Sequence, residues 1–336
     1  MVISIPEMMT IVEAIPPGPP ENLSLSLRPT PKPQASEVLI KVTAAGINGA
    51  DLREREGKYP VPESAPNIMG LEVSGTVVAL GPECHRFKIG DEVCALLIGG
   101  GYAEYVVAPE GQCLSKPTGV SLVDSAGIPE VFCTAWSNVI RTCKLNRNET
   151  LLVHGGTSGL GHATIKLAKA FGAKVFATAR TKEKCTAMKR FGADLAINYA
   201  EENIWDICRE KTGGKGVDVI VDIIGGDYLP REVESLAFGG RLMILNLQGG
   251  AKASIDFSNV HSKHLTITGS RLRPRSISEK TAICRDLEQN VWPLFASGAI
   301  IPETFAVFPF AKASAAHSIM ESSDHIGKIL LIPNER

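Results

Sequence analysis

The sequence predicts an α/β protein in which a doubly wound, six-stranded parallel sheet is joined to a smaller β-rich domain. Three observations carry this expectation. Leu151-Leu152-Val153-His154 is a short apolar run that ends in a glycine-rich turn, Gly155 to Gly161, and a helix-compatible segment follows at once. Such a strand–turn–helix lets the backbone approach a pyrophosphate and offers free N–H groups at a helix N-terminus. From about residue 126 strands and helices then alternate, as a parallel sheet with crossover helices requires. Before that point the chain carries short β-branched runs punctuated by Pro and Gly, which suggest a small antiparallel barrel or sandwich.

In chain order, Val38–Ala44, Leu71–Leu80, Val93–Ile98 and Ala103–Val107 read as strands of the first part. Pro16-Pro17-Gly18-Pro19-Pro20 is a loop, because proline supplies no ladder donor. Strand Leu151–His154 precedes a helix over 160–171, and strand Lys174–Ala179 precedes a helix over 182–191 that ends at Gly192. Leu195–Asn198 is a third strand, before a helix near 202–211. Val217–Ile224 is a fourth, apolar enough apart from its two aspartates to be buried on both faces. Leu242–Asn246 and Leu265–Thr268 complete the six. A helix over 278–297 and a strand near Lys328–Ile332 close the chain and are expected to return to the first domain. The expected division is 1–125 with 273–336, and 126–272.

Composition narrows the function classes. With 336 residues and a formal net charge of −1, nothing points to nucleic acid or an anionic membrane. No apolar run reaches the ~20 residues that cross a bilayer. The first Lys or Arg is Arg28, which argues against a secretory or transit leader and for a cytoplasmic protein. The eight cysteines form no C-x-x-C pair and no tight cluster, so they read as mostly buried thiols in a reducing compartment.

The turn itself is Gly156-x-x-Gly159-x-Gly161, and Gly156, Thr157, Ser158, Gly159 and Leu160 are its expected cofactor contacts. About 20 positions further on, NAD enzymes carry an acidic residue for the ribose hydroxyl. Here the second strand ends in Arg180-Thr181-Lys182-Glu183-Lys184. A guanidinium, a hydroxyl and an ammonium suit a 2′-phosphate, so NADPH is the expected cofactor. The competing reading is a solvated basic first turn.

Further segments carry a resemblance. Ala45 to Leu52, Gly57-Lys58-Tyr59-Pro60, Met69 to Gly75, Gly90-Asp91-Glu92-Val93 and the His154–Gly161 turn resemble the medium-chain dehydrogenase/reductase superfamily. Ile197-Asn198-Tyr199, Asp222 to Gly226, Thr268 to Arg275 and His325-Ile326-Gly327-Lys328 extend the likeness. Within that superfamily the chain most resembles the NAD(P)H:quinone oxidoreductases, in their p53-inducible quinone reductase branch, from about residue 9 to 332. The resemblance implies a Rossmann domain plus a GroES-like domain and an interdomain acceptor cleft. It also implies a homodimer that pairs through the edge strand Leu265–Thr268. Zinc-dependent relatives carry a cysteine where this chain has Asn48, and Gly-His-Glu where it has Gly70-Leu71-Glu72. Two metal ligands are therefore missing, and no metal is expected. Glu72 would remain as a structural hydrogen bond or ion pair.

The chemistry left is hydride transfer from a nicotinamide to an electrophile such as a quinone. Asn48 and Tyr59 are the expected catalytic polar groups near the nicotinamide. Tyr59 would orient the acceptor or donate a proton, or else pack on Pro60 and Pro62; Asn48 could instead be a turn residue. The resemblance places Thr134 near the nicotinamide, Tyr199 near the 2′-phosphate and adenine, and Ile224, Gly225, Leu247 and Gln248 along the cofactor. Lys328 would reach the cofactor from the closing strand, or be a surface lysine. His154 reads as structural. An enoyl or enone reductase and a non-catalytic NADPH-binding protein are the alternatives.

Overall fold

The computed structural model describes residues 5–334. The chain divides into two compact units, one formed by the described residues up to Cys133 and from Leu272 on, the other by Thr134–Arg271.

The first unit opens with an antiparallel hairpin, β1 (Met8–Ala14) and β2 (Leu23–Pro29). Then follow β3 (Glu37–Gly46), α1 (Gly49–Arg55), β4 (Glu72–Leu80), β5 (Glu92–Leu96), β6 (Tyr105–Pro109) and β7 (Cys113–Ser115). Two short helices, α2 (Leu122–Ser125) and α3 (Pro129–Ala135), lead out of it, and a π-helical stretch, Trp136–Thr142, follows. β3 is the central strand, antiparallel to β4 on one side and to β6 on the other. Val38, Ile40, Val42, Val73, Val77, Val93 and Tyr102 fill the core that these strands enclose.

The second unit is the parallel sheet. Its strands are β8 (Thr150–His154), β9 (Lys174–Ala179), β10 (Leu195–Asn198), β11 (Val217–Asp222), β12 (Leu236–Ile244) and β13 (Thr266–Gly269). The helices are α4 (Gly159–Ala170), α5 (Lys182–Phe191), α6 (Ile204–Lys211), α7 (Tyr228–Ser235) and α8 (Phe257–Ser262). All neighbours are parallel, in the order β10-β9-β8-β11-β12-β13. The order reverses between β8 and β11, so the glycine-rich turn after β8 lies at the switch point where such sheets take their ligands. Leu152, Phe176, Ile197, Val217, Ile220 and Leu242 are core residues of this unit.

The chain returns to the first unit through α9 (Ile277–Asn290), α10 (Trp292–Ala296), β14 (Thr304–Pro309), α11 (Ala313–Ser322) and β15 (Lys328–Ile332). β15 pairs antiparallel with the end of β3, through Leu330–Gly46 and Leu331–Ala45, and parallel with β14.

Of the elements the sequence predicts, three differ in an instructive way. β11 stops at Asp222, because its carboxylate turns back to accept the Ile224 and Gly225 amides and Gly225 and Gly226 take left-handed φ values. β12 runs from Leu236 to Ile244 rather than Leu242 to Asn246; a register shift against β11 lets the earlier residues join. The long helix expected over 278–297 breaks into α9 and α10, since Pro293 has no N–H to continue the ladder.

Candidate functional site

In the second unit, the polar elements converge on the C-terminal edge of the parallel sheet. β8 ends in His154, and Gly155 takes φ +66°, which an L side chain rarely adopts. Ser158 caps α4: its Oγ accepts from the Gly161 amide at 3.0 Å and donates to the Gly155 carbonyl at 2.9 Å. Gly161 has to be glycine, because a Cβ there would sit 2.2 Å from the Gly155 oxygen. At Gly156 a Cβ would meet the Met188 sulfur at 2.4 Å. The amides at the very start of α4 have no partner within the helix and form an anion-binding end. Thr157 is buried in the turn, while Ser158, Gly159 and Leu160 are half-buried. This cradle suits a pyrophosphate.

Next along the edge, Arg180 stands exposed just past β9, and Thr181 caps α5. Lys184, half-buried in the first turn of α5, donates its amide to the Thr181 hydroxyl. Tyr199 follows β10 and gives its backbone N–H to the Ala179 carbonyl at 3.1 Å, which brings it beside Arg180. It is 40% exposed, so a core-packing role is ruled out.

The loops after β11 and β12 are locked to each other. The Gly249 amide donates to the Ile224 carbonyl at 2.7 Å, and the Gly226 amide to Gly250 at 2.9 Å. Gly225 is tightly enclosed; a Cβ there would lie 2.7 Å from the Leu247 side chain. Gln248 is exposed and Ile224 and Leu247 half-buried at this edge. At the start of the unit, Thr134 is half-buried, and its carbonyl accepts from the Asn138 side chain at 2.8 Å.

Beneath the glycine turn lies a buried group that the sequence showed only in part. His154 Nδ1 is 3.0 Å from the Thr178 hydroxyl, and Nε2 is 3.0 Å from Glu232 Oε1. Burial pushes the His154 imidazole down to about 4 and the Glu232 carboxyl up to about 8. Both are neutral at pH 7, so the pair sits under the turn without a net charge. His154 is structural, as its strand-end position suggested.

In the first unit, a buried cluster gathers around Glu72. Its Oε1 lies 2.7 Å from Lys328 Nζ and accepts from Asn48 Nδ2 at 2.9 Å; its Oε2 accepts from the Glu130 amide at 2.8 Å. Lys328 also donates to the Asn48 side-chain oxygen at 2.8 Å and to the Ile47 carbonyl at 2.7 Å. The three ammonium hydrogens are thus all engaged. Lys328 is 6% exposed, which rules out the surface-lysine reading. Asn48 both precedes α1, donating its amide to Asp51 Oδ2 at 2.7 Å, and offers its side chain to the cluster, so its turn role and its polar role coexist. Gly46 makes the cluster possible: a Cβ there would lie 2.2 Å from Glu72 Oε1.

Two further acids belong here. Burial pushes Asp51 up to about 7. Glu130 is pushed up to about 8 by burial first and then by the Glu72 charge. Glu130 lay outside the motifs, and nothing in its local pattern sets it apart from a helix-start glutamate. Tyr59, in the loop after α1, is half-buried and packs under the Arg273 guanidinium, 5.5 Å from its centroid. Arg273 is itself held by Glu54 at 2.6 Å and the Ile98 carbonyl at 2.7 Å.

Comparison with known proteins agrees with this fold. Residues 34–118 match the alcohol dehydrogenase GroES-like domain, and residues 159–285 match the zinc-binding dehydrogenase domain. A rat quinone oxidoreductase is 30% identical over 318 residues, covering 94% of this chain and 95% of its own. Among solved structures, an NAD-dependent alcohol dehydrogenase is 31% identical with a TM-score of 0.84, covering 97% of this chain and 100% of its own. A mycobacterial protein solved with NADPH is 29% identical with a TM-score of 0.86 and the same two coverages. The chain belongs to the medium-chain dehydrogenase/reductase superfamily, within its quinone oxidoreductase family. It is an oxidoreductase, with a Rossmann sheet and a GroES-like domain.

Proposed function

We propose that the protein is an NADPH-dependent quinone oxidoreductase that works without zinc. The observation that carries this reading is the edge of the parallel sheet, where the glycine turn is followed by exposed Arg180, half-buried Lys184 and exposed Tyr199. Two cations at the head of α5 attract a 2′-phosphate, and each charged hydrogen bond contributes about 1.5–3 kcal/mol. The amides opening α4 and the residues Gly156 to Leu160 hold the pyrophosphate. Ile224, Gly225, Leu247, Gln248 and Thr134 line the rest of the cofactor.

Bound NADPH supplies the hydride. The chain's own groups orient the acceptor and manage the proton. Tyr59, steadied by Arg273, orients the acceptor quinone or donates to it. Lys328 and Glu72 hold the Asn48 amide in one orientation beside it. The donor set argues against a metal here. Leu71 is a hydrocarbon, Asn48 is a neutral amide, and both Glu72 oxygens are already satisfied by protein donors. A quinone needs no Lewis acid, because it accepts hydride readily.

The test is NADPH oxidation across a panel of quinones and enones and with no acceptor. Quinone-dependent turnover is expected. Turnover confined to enones would make the protein a C=C reductase, and tight NADPH binding without turnover would make it a sensing or structural binder.

A further inference from the structure

The glycine turn and the loop after β11 rest on one buried polar chain, and its middle member is an acid. We propose that Glu232, placed between His154 and Asp222, is a positioning residue that holds both cofactor loops and couples dinucleotide binding to a single proton; this rests on the reading above that the dinucleotide lies on the glycine turn.

The chain of groups runs within the second unit. The Thr178 hydroxyl is 3.0 Å from His154 Nδ1, and His154 Nε2 is 3.0 Å from Glu232 Oε1. The Glu232 carboxyl is hydrogen-bonded in turn to the Asp222 side chain. Asp222 then accepts from the Ile224 amide at 2.6 Å and the Gly225 amide at 2.9 Å. The two ends of the chain are therefore the two loops. His154 runs directly into Gly155, and Gly156 gives its amide to the Thr178 carbonyl at 3.1 Å. Among the described residues no backbone amide, hydroxyl, lysine or arginine serves either Glu232 oxygen, and the side chain is sealed from water. Two carboxyl groups hydrogen-bond to each other only if one keeps its proton. Asp222 already accepts two backbone donors, so it is the anion and Glu232 the acid. The directions follow along the chain: Glu232 O–H donates to Asp222, His154 Nε2–H donates to Glu232, and Thr178 O–H donates to His154 Nδ1.

The surroundings favour this state. Burial pushes Glu232 up to about 8, so its proton is held below that pH and lost above it. The titratable groups that face it are His154 from β8, Asp222 from β11 and Tyr228 on α7 itself. From α6, Trp205 packs against His154 and Tyr228, while Asp206 and Arg209 are exposed. Arg241 of β12 is taken by Glu149, and His261 of α8 is exposed. Neither arginine offsets a second buried carboxylate. Loss of the Glu232 proton therefore breaks the bond to Asp222 and sets two negative charges side by side, beneath the helix end proposed for the pyrophosphate. An anionic dinucleotide binds the protonated form better, and its binding takes up a proton near pH 8.

The experiment measures the dissociation constants of NADPH and NADH for wild type and E232Q between pH 7 and 9.5. Calorimetry in two buffers of different ionisation enthalpy counts the protons exchanged on binding. Both nucleotides should bind wild type ~3- to 30-fold more weakly at pH 9.5 than at pH 7, the effect of one charge acting across several ångströms of protein. Binding at pH 8 should take up a fraction of a proton. E232Q keeps the side-chain shape and an N–H for Asp222 but has no proton to lose. Its affinity profile should be flat and its proton uptake absent, whereas a purely packing role for Glu232 would leave both unmoved. Should E232Q fail to fold, the wild-type proton uptake alone decides. A flat wild-type profile without uptake, an alkaline loss that E232Q retains, or a loss confined to NADPH would overturn the assignment and leave the cofactor site standing. A wild type that binds neither nucleotide at pH 7 would overturn that site and the assignment with it.

Discussion

Gly46 shows how one absent carbon decides a site. Any side chain at this position would occupy the space of the Glu72 carboxylate, and Asn48 and Lys328 would lose their common partner. The glycine was legible in the sequence as the end of a strand. Its reason was not, because Glu72 approaches from a strand paired alongside. Glu130 was hidden for the same cause: burial and the nearby Glu72 change its chemistry, and neither leaves a local pattern. Arg180 and Lys184 are different, since both lie in one short segment whose place after the second strand could be read directly. Changing both to Ala should weaken NADPH by roughly 10- to 10⁴-fold, the cost of one or two charged contacts, while NADH binds almost as before. Titrations of both cofactors against wild type and double variant check this, and equal losses for the two would point to a disturbed fold. Tyr59→Phe should lower quinone kcat by about 2- to 50-fold with NADPH affinity intact, below the usual range for proton-transfer assistance because a quinone's reduced anion is tolerable. Unchanged kinetics would return Tyr59 to a packing role beneath Arg273.

At the level of elements, helix α4 couples stability to binding. Ser158 satisfies one of its free amides and ties the turn to Gly155, leaving the remaining amides for a phosphate. Ser158→Ala should cost about 1 kcal/mol of stability and loosen NADPH and NADH equally, since both carry the pyrophosphate. Thermal unfolding with and without each cofactor reads both effects; a loss for NADPH alone would contradict the capping account. The parallel-sheet elements were the most legible part of the chain. Strands Lys174–Ala179 and Leu195–Asn198 and helix Lys182–Phe191 fall where the pattern puts them, because each strand is a short, mostly apolar run and the helix is bounded by Thr181 at its start and Gly192 at its end. The hairpin β1–β2 was missed, although Leu23-Ser24-Leu25-Ser26-Leu27 alternates. Leu25 and Leu27 are exposed there, so the alternation does not mark the core. β14 and α11 were missed as well; β14 leaves Phe305 and Val307 exposed, again without a clear inward stripe.

For the whole molecule, β13 ends the six-stranded sheet with one side unpaired among the described residues, and Phe238 and Phe257 are exposed in the same unit. A free edge with nearby apolar surface favours pairing across a two-fold axis. We therefore expect a homodimer in solution. Light scattering that finds only single chains at micromolar concentration would count against it, and a proline at Ile267 should weaken the association. Among the described residues no helix is long and apolar enough to cross a membrane. On the proposed function, NADPH delivers hydride to a quinone on this scaffold with no metal at the Glu72 cluster. Quinone-dependent oxidation of NADPH and NADH by protein dialysed against a strong chelator decides this. We expect undiminished turnover after chelation and a preference for NADPH of at least ~10-fold, the value of one charged contact. Turnover lost on chelation and restored by zinc, or equal use of the two cofactors, would contradict it.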